Sequence, residues 1–200
     1  MKNTSYKAAL LSVEREREAV ENALSRISEE DFSRAVDLLA SCPRIMTSAS
    51  GSSGIAAKKF AHSLCCIERG AMFMPPCEAV HGGMGGIKRE DVMVMVSRGG
   101  KTSELLPLID VVTKKGASLI AITENPDSPL AKAASVVLLM NVGKESDPLG
   151  LMATSSYVQT IAIFDALLAA LIEETGYTAE QFGLIHPGGA VGEHINGKTI

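Results

Sequence analysis

The sequence predicts one α/β domain: a three-layer sandwich in which helices cover both faces of a five-stranded parallel sheet, with a helical extension at the N-terminus. Three observations favour this fold. Short apolar runs recur from residue 44 onward, helical stretches separate them, and turns rich in glycine, serine or acids follow several of them. Apolar runs of strand length that alternate with helices are typical of parallel sheets buried on both faces.

The first forty residues carry a helical pattern. Apolar side chains recur there at steps of three and four, at Tyr6, Leu10, Val13, Val20, Leu24 and Ile27. Ser28, which three acids follow, predicts the N-cap of a second helix. We therefore take residues 1–41 as an N-terminal helical segment and residues 42–200 as the domain. The apolar stripe can pack on its own domain or cover a neighbouring subunit, and we favour the second.

Five strands are predicted within the domain. They are Arg44–Ala49, Ala71–Met74, Asp91–Ser97, Ala117–Thr123 and Ser135–Asn141. Helical stretches lie near residues 53–67, 102–115, 128–134 and 151–175, and Ser128 has the residue type of an N-cap. In sheets of this kind ligands bind beyond the carboxyl ends of the strands, so we expect the turns at those ends to form the site.

Composition narrows the class of protein. The 200 residues include 46% apolar and 21% charged residues, which suits a globular domain with a substantial core. A net charge of −4 argues against a broad nucleic-acid-binding face. No apolar run approaches the ~20 residues of a membrane span and no signal-peptide pattern opens the chain, so we expect no membrane association and a cytoplasmic location. The four cysteines lack C-x-x-C spacing and are expected to be reduced core residues.

The most informative turn is Ser97–Glu104, which joins an apolar strand to an amphipathic helix. Its glycines and the helix start leave backbone N–H groups unpaired, and such donors suit a phosphate. The turn after the first strand is also rich in glycine and serine. Candidate phosphate ligands in the two turns are Ser50, Ser52, Ser53, Ser97, Arg98, Gly99, Lys101, Thr102 and Ser103. Together with an acidic turn, they predict a site for a phosphorylated, polyhydroxylated ligand.

Several segments resemble those of the sugar isomerase (SIS) domain family, and within it the arabinose-5-phosphate isomerases. The matching segments are His81–Gly85, Ser97–Glu104, Glu124–Ser128, Lys144–Leu151, Ala153–Ser156 and Thr178–Gly192. Thr178–Gly192 is the most specific of them, because a generic α/β domain has no need of that string in that place. The resemblance covers about residues 10–196.

The resemblance implies the SIS fold, a tetramer with sites at subunit interfaces, and interconversion of ribulose 5-phosphate and arabinose 5-phosphate. It implies no redox cofactor, and we expect no metal. Many relatives carry two C-terminal regulatory modules of the cystathionine-β-synthase type, so this chain resembles a stand-alone catalytic domain. Two alternatives stay open: an isomerase for another phosphosugar, such as a hexulose 6-phosphate, or a module that senses sugar phosphates without turnover.

Aldose–ketose isomerisation needs a base over the reacting carbons and an acid near the oxygens. The resemblance makes Glu145 the leading candidate for the base and gives Glu104 a role in orienting the sugar or sharing the proton transfer. It implies that His186 reaches the sugar from a neighbouring subunit, for ring opening or oxygen protonation. His81 corresponds to a histidine close to the same site.

The chain departs from the family pattern in two turns. Where the family has G-K-S-G, this chain has Ser52 in place of the lysine, and the family's S-N-S-G-E has become Ser97–Lys101. We hypothesise that positive charge has moved from one lip of the pocket to the other. Arg98 or Lys101 would then act on the phosphate or on the developing enediolate. The simpler alternatives are a weakened activity or a different substrate.

Overall fold

The computed structural model describes residues 3–188 and has three layers, with a parallel sheet between two layers of helices. In chain order the elements are α1 (Asn3–Glu21), α2 (Glu29–Ser41), β1 (Ile45–Ser48), α3 (Gly51–Cys65), β2 (Ala71–Phe73), α4 (Pro76–Ala79), β3 (Val92–Val96), α5 (Leu106–Lys115), β4 (Ser118–Thr123), α6 (Pro129–Ala133), β5 (Val136–Leu139), α7 (Ser155–Thr175) and α8 (Ala179–Ile185). The predicted fold class is confirmed.

The sheet has the order β2-β1-β3-β4-β5, and every neighbouring pair of strands is parallel. The chain moves outward from β1 to β2 and then returns to the other side of β1 to form β3. The strand order therefore reverses between β1 and β3. Ligands of doubly wound sheets bind at such a reversal, outside the carboxyl ends of the strands.

The core is divided by the sheet, and β3 shows the division within its own sequence. Val92, Val94 and Val96 face the layer that contains α2, α3 and α7. Met93 and Met95 face the layer that contains α5 and α6. All five side chains are buried, because successive residues of a strand point to opposite faces and both faces are covered.

The predicted elements are present with small shifts at their ends. Each of the five strands is one to three residues shorter than predicted. Ser28 and Ser128 both act as N-caps, since their hydroxyls accept hydrogen bonds from the N–H groups of Asp31 and Ala131. The short α4 and α8 were not predicted. The cysteine prediction is wrong in part, because all four are free but Cys65 and Cys77 are exposed.

The N-terminal helix packs on α7, and this helix and the turn after it bury small residues and leave large apolar residues exposed. Ala19 and Ala23 are buried, and the backbone oxygen of Ala19 accepts a hydrogen bond of 2.7 Å from Gln159 on α7. The apolar side chains on the surface are Tyr6, Leu10, Leu11, Val13, Val20 and Leu24. Nearly all of the predicted stripe therefore lies outside the core of its own subunit.

The helix α7 is long and apolar enough to cross a membrane by length and composition, with a mean hydropathy of 1.6 over its best window. In this fold it contacts α1, α2 and α3 and buries Ile163, Phe164 and Leu167. A core helix of a soluble domain passes the same test of composition, and these contacts are those of a core helix.

Candidate functional site

The turns predicted to form the site lie at one edge of the sheet, because the carboxyl ends of all five strands meet there. The turn after β1 contains Ser50, and the turn after β3 contains Ser97–Glu104. Glu124 directly follows β4, and Glu145 lies in the long connection after β5. The sequence therefore predicted the correct edge for these groups, and their contacts decide what each can do.

A cavity of about 380 Å³ opens beside the reversal point, between α3 and the turn after β2. It is lined by Ala49, Ser50, Gly51, Gly54, Ile55, Lys58, Phe73, Pro75, Pro76, Cys77 and Glu104. Ligand pockets have volumes of roughly 300–1,000 Å³, so the cavity has room for a phosphorylated pentose. Among the residues that line it, only Lys58 and Glu104 carry a full charge at neutral pH.

The N-terminus of α3 opens into this cavity. Gly51 begins the helix directly after Ser50. Its φ of +59° is a backbone conformation that would be strained in a residue with a side chain. Gly54 approaches the strand so closely that a Cβ there would lie 2.7 Å from the carbonyl oxygen of Ala49. The two glycines therefore bring the first turn of the helix, with its unpaired N–H groups, against the end of β1. Such a helix end favours an anion.

Glu104 is the carboxylate of the cavity. It is exposed, and its own backbone N–H and the hydroxyl of Ser103, 2.8 Å from Oε2, hold the pKa of its carboxyl below the ordinary value. Glu104 is therefore ionised at neutral pH, which is the form that accepts a proton. Of the four residues predicted to move protons, it alone lines this cavity within the described chain.

The hydroxyls of the Ser97–Glu104 turn are mostly engaged within the turn. Ser97 Oγ and Thr102 Oγ1 lie 2.8 Å apart, and Ser97 Oγ also accepts a hydrogen bond from the Gly100 N–H. Gly100 has φ +65°, and a Cβ on it would lie 2.0 Å from Ser128 Oγ. The turn is therefore closed and packed on the cap of α6. Gly99, Lys101 and Ser103 stay exposed on its outside.

Arg98 is held by two carboxylates from other turns. Its Nε donates to Glu124 at 2.8 Å, and its Nη1 donates to Glu145 at 2.7 Å. The second terminal nitrogen donates to the backbone oxygen of Gly143 at 3.1 Å. This cluster joins the turns after β3, β4 and β5. One positive charge is shared between two negative charges, so the cluster has no spare positive charge to offer an anion.

Glu145 is buried, and both of its carboxylate oxygens have partners. Oε1 bonds to Arg98, while Oε2 accepts from the backbone N–H groups of Thr154 and Ser156 and from the Thr154 hydroxyl. Burial raises the pKa of Glu145, but the hydrogen bonds from Ser156 and Thr154 and the charge of Arg98 outweigh it and set the pKa below its ordinary value. The carboxylate thus caps the N-terminus of α7 as an anion.

These contacts bear on the hypothesis of displaced positive charge. The Arg98 guanidinium is already paired, and Lys101 lies outside the residues that line the cavity. The cation that does line the cavity is Lys58, which the sequence analysis did not single out. A signal for it existed, because Gly51, Gly54 and Lys58 are spaced by three and four residues and share one face of α3.

The two predicted histidines follow different helices, and neither lines the cavity. His81 is exposed just beyond α4, four residues after Cys77 of the cavity wall. His186 stacks on Phe182 with ring centroids 3.8 Å apart. Its helix, α8, begins near the far end of α3, where Gln181 bonds to Glu68. His186 is not among the residues that line the cavity of its own chain.

Among residues 3–188, no group of three or more histidine, cysteine or acidic side chains is arranged to hold a metal ion. The segment Thr178–Gly192, which resembles the family, continues beyond α8. Its part after residue 188 lies outside the described residues. The described site therefore consists of a helix N-terminus, a carboxylate, an ammonium group and a separate arginine–carboxylate cluster.

A doubly wound parallel sheet with an open helix N-terminus at its reversal point is the arrangement in which many α/β proteins bind anionic ligands. The particular family is shown by comparison with known proteins. Residues 38–170 match the SIS domain, and this chain belongs to the SIS domain family. The resemblance predicted from its motifs is confirmed.

Three relatives show how close the similarity is. Arabinose 5-phosphate isomerase KdsD of Pseudomonas aeruginosa is 44% identical over 181 residues, which are 90% of this chain and 55% of that protein. A Listeria monocytogenes crystal structure, described as a proposed sugar-phosphate isomerase, has a TM-score of 0.84 and 42% identity and covers 94% of this chain and 100% of its own. The structure of Escherichia coli CFT073 c3406 in complex with arabinose 5-phosphate also has a TM-score of 0.84, with 30% identity and the same coverage. The chain spans about half the length of the curated relatives it matches.

Proposed function

We propose that the protein is an aldose–ketose isomerase that interconverts ribulose 5-phosphate and arabinose 5-phosphate. The observation that carries this proposal is the 44% identity to the Pseudomonas isomerase over 90% of the chain. The cavity supports it, because a helix N-terminus suits a phosphate and an ionised glutamate beside it suits proton transfer. The relative of known structure that holds arabinose 5-phosphate shares this fold over 94% of the chain.

The reaction moves a proton between two neighbouring carbons of the sugar. A base removes the proton from C2 of the aldose, the carbonyl oxygen at C1 takes up a proton, and the enediol that results is reprotonated at C1 as the C2 hydroxyl loses its proton. Atoms and electrons balance without any redox partner, which agrees with the proposal that no cofactor takes part. A positioned acid or base contributes about 10²–10⁴-fold to such a step.

We assign the base to Glu104, because it is ionised and lines the cavity. Glu145, first proposed as the base on resemblance, has both carboxylate oxygens engaged and suits the role of a positioning residue that holds α7 and Arg98. His81 and the His186 of a second subunit are proposed to act on the sugar oxygens. Ser50, Ser52 and Ser53 are proposed to bind the phosphate with the α3 N-terminus.

The outer residues of the turn after β3 are proposed to line the phosphate side of the site in the assembly. These are Gly99, Lys101 and Ser103, which are exposed. Ser97 and Thr102 contact each other and Arg98 is paired with Glu124 and Glu145, so these three are proposed to hold the turn in shape. A homo-oligomer, a tetramer by resemblance, is proposed because the large apolar side chains of the α1 stripe are exposed and because His186 does not line the cavity of its own chain. We propose a cytoplasmic protein with no nucleic-acid or membrane partner, since its relatives are metabolic isomerases and its net charge is −4.

Two other functions are distinguished by experiment. An isomerase for another phosphosugar, such as a hexulose 6-phosphate, would use the same groups on a longer carbon chain. A sensor of sugar phosphates would bind without turnover, and the loss of the family lysine at Ser52 favours it. The retained Glu104 favours the enzyme, because binding an anion does not require a carboxylate in the cavity.

The test is a nuclear magnetic resonance assay in D₂O with a panel of pentose and hexose phosphates. An isomerase exchanges deuterium into C1 of the ketose or C2 of the aldose. Glu104→Gln should lower kcat by about 10²–10⁴-fold while calorimetric binding of the same sugar persists. The matched control is Glu90→Gln, an exposed carboxylate that precedes β3 at the opposite edge of the sheet.

The outcomes separate the functions. Turnover that is fastest with the pentose phosphates supports the proposal. Turnover confined to a hexulose phosphate would mean that the protein is an isomerase for that sugar instead. Binding without any deuterium exchange establishes a sensor instead. Equal kcat for the wild type and Glu104→Gln would mean that Glu104 takes no part in the proton transfer.

A further inference from the structure

The charge of the cavity is unusual for a site that receives an anion. Its lining includes the Glu104 carboxylate, and a sugar phosphate adds about two negative charges at neutral pH. Two anions within one small cavity repel each other unless a cation lies between or beside them. The helix N-terminus supplies only about half a positive charge. A positively charged side chain beside the phosphate would offset the rest of this repulsion.

We infer that Lys58 is the phosphate-binding cation of this site and takes the place of the lysine that the chain lacks at Ser52. The inference rests on the proposed function and names a further ligand for the phosphomonoester of its substrate. It concerns Lys58 because, in the described chain, no other lysine or arginine lines the cavity.

The position of Lys58 on α3 directs it into the cavity. Gly51, Gly54, Ile55 and Lys58 line the cavity together, at the spacing that places residues on one helical face. Side chains on a helix lean toward its N-terminus, so the Lys58 ammonium extends along the wall toward Ser50. Lys58 lies about two helical turns, or about 10 Å, from the start of α3, and a side chain that leans in this direction covers part of that distance. We expect the ammonium to meet the phosphate from the cavity wall, while the first turn of α3 meets it from the end of the helix.

The Lys58 ammonium is free to bind an anion. It is exposed, and within residues 3–188 no hydrogen bond or ion pair engages it. The adjacent Lys59 differs, because it forms an ion pair with Asp165 on α7. The two lysines thus have the same charge and lie on the same helix, yet one faces the cavity and the other is paired with a neighbouring helix.

The remaining cations near this edge of the sheet are committed elsewhere or lie outside the cavity. Arg98 is paired with Glu124 and Glu145. Lys144 lines a different depression beside Arg98. Lys101 is exposed on the outer surface of its turn. Among the described residues, the positive charge that lines the cavity therefore comes from α3.

The experiment compares Lys58→Met with Lys59→Met in the full chain. Two quantities are measured: the Kd of inorganic phosphate by calorimetry, and KM and kcat for the phosphosugar. Lys58→Met should raise the phosphate Kd and the KM about tenfold, with kcat changed less than about threefold. Lys59→Met should leave all three near their wild-type values, and Lys58→Arg should restore most of the affinity. Circular dichroism confirms that each variant is folded.

Several results would overturn the inference. One is a phosphate Kd for Lys58→Met within about twofold of the wild type. Another is an equal loss in Lys59→Met, which would mean a general effect of net charge. A fall in kcat without a change in phosphate affinity would place Lys58 at the reacting carbons instead. If the wild type turns over no phosphosugar but Lys58→Met still weakens phosphate binding, the proposed function fails and the phosphate site stands.

Discussion

Replacing Glu145 with glutamine tests whether this carboxylate holds the site together. The substitution keeps the size of the side chain and one carbonyl oxygen, which can still accept from the N–H groups of Thr154 and Ser156. It removes the negative charge that faces Arg98 at 2.7 Å and places an amide there instead. The guanidinium then keeps only Glu124 as a charged partner.

The magnitude follows from the burial of the two groups. Breaking a buried ion pair by removing one partner costs about 3–5 kcal/mol. Glu145 is 6% exposed but Arg98 is 37% exposed, so solvent screens the pair and we reduce the figure to about 2–3 kcal/mol. For a chain of this length that corresponds to a fall in Tm of roughly 4–12 °C.

The pH dependence has a definite sign. The folded pKa of Glu145 lies below its ordinary value of 4.5, so the ionised form is the stabilising one. Its contribution to the free energy of unfolding is present above the ordinary pKa and is lost as pH falls through the lower, folded value. The difference in Tm between wild type and Glu145→Gln should therefore be full at pH 7 and shrink below about pH 4.

The assay is thermal unfolding followed by circular dichroism, at pH 7 and at low pH. Glu124→Gln is the matched control, because its carboxylate binds the same arginine but is 29% exposed, and it should cost less than about 1 kcal/mol. An Arg98→Met, Glu145→Gln double variant measures the coupling between the pair. A fall in Tm below about 2 °C, or a fall of the same size at both pH values, would refute the reasoning.

Three further predictions concern a turn, a cap and an interface. Gly100→Ala forces a Cβ to within 2.0 Å of Ser128 Oγ at a positive φ, so the free energy of unfolding should fall by about 3 kcal/mol in denaturant titration. Ser28→Ala removes the hydroxyl that accepts from Asp31 N–H at 3.0 Å and should cost about 1 kcal/mol in the same measurement. Val13→Lys places a charge in the exposed stripe of α1 and should yield a smaller oligomer, measured by light scattering. An unchanged mass would mean that this stripe is not part of an interface.

Local features of the sequence were enough to predict the fold. The alternation of Val92 to Val96 and the caps at Ser28 and Ser128 depend only on neighbours in the chain, so they can be read without coordinates. The five strands and their parallel direction follow from the alternation of strand and helix. The edge at which Glu104 and Glu145 lie follows as well, because parallel strands end on the same side.

Only the tertiary structure decided which groups are available for chemistry. Arg98 pairs with residues 26 and 47 positions further along the chain, and no local pattern reveals such partners. The same contacts make Glu145 a capping anion and leave the cavity to Glu104 and Lys58. The sequence shows which side chains are charged. Whether a charged side chain is already paired with an opposite charge depends on the distances between turns, and these are set only when the sheet assembles.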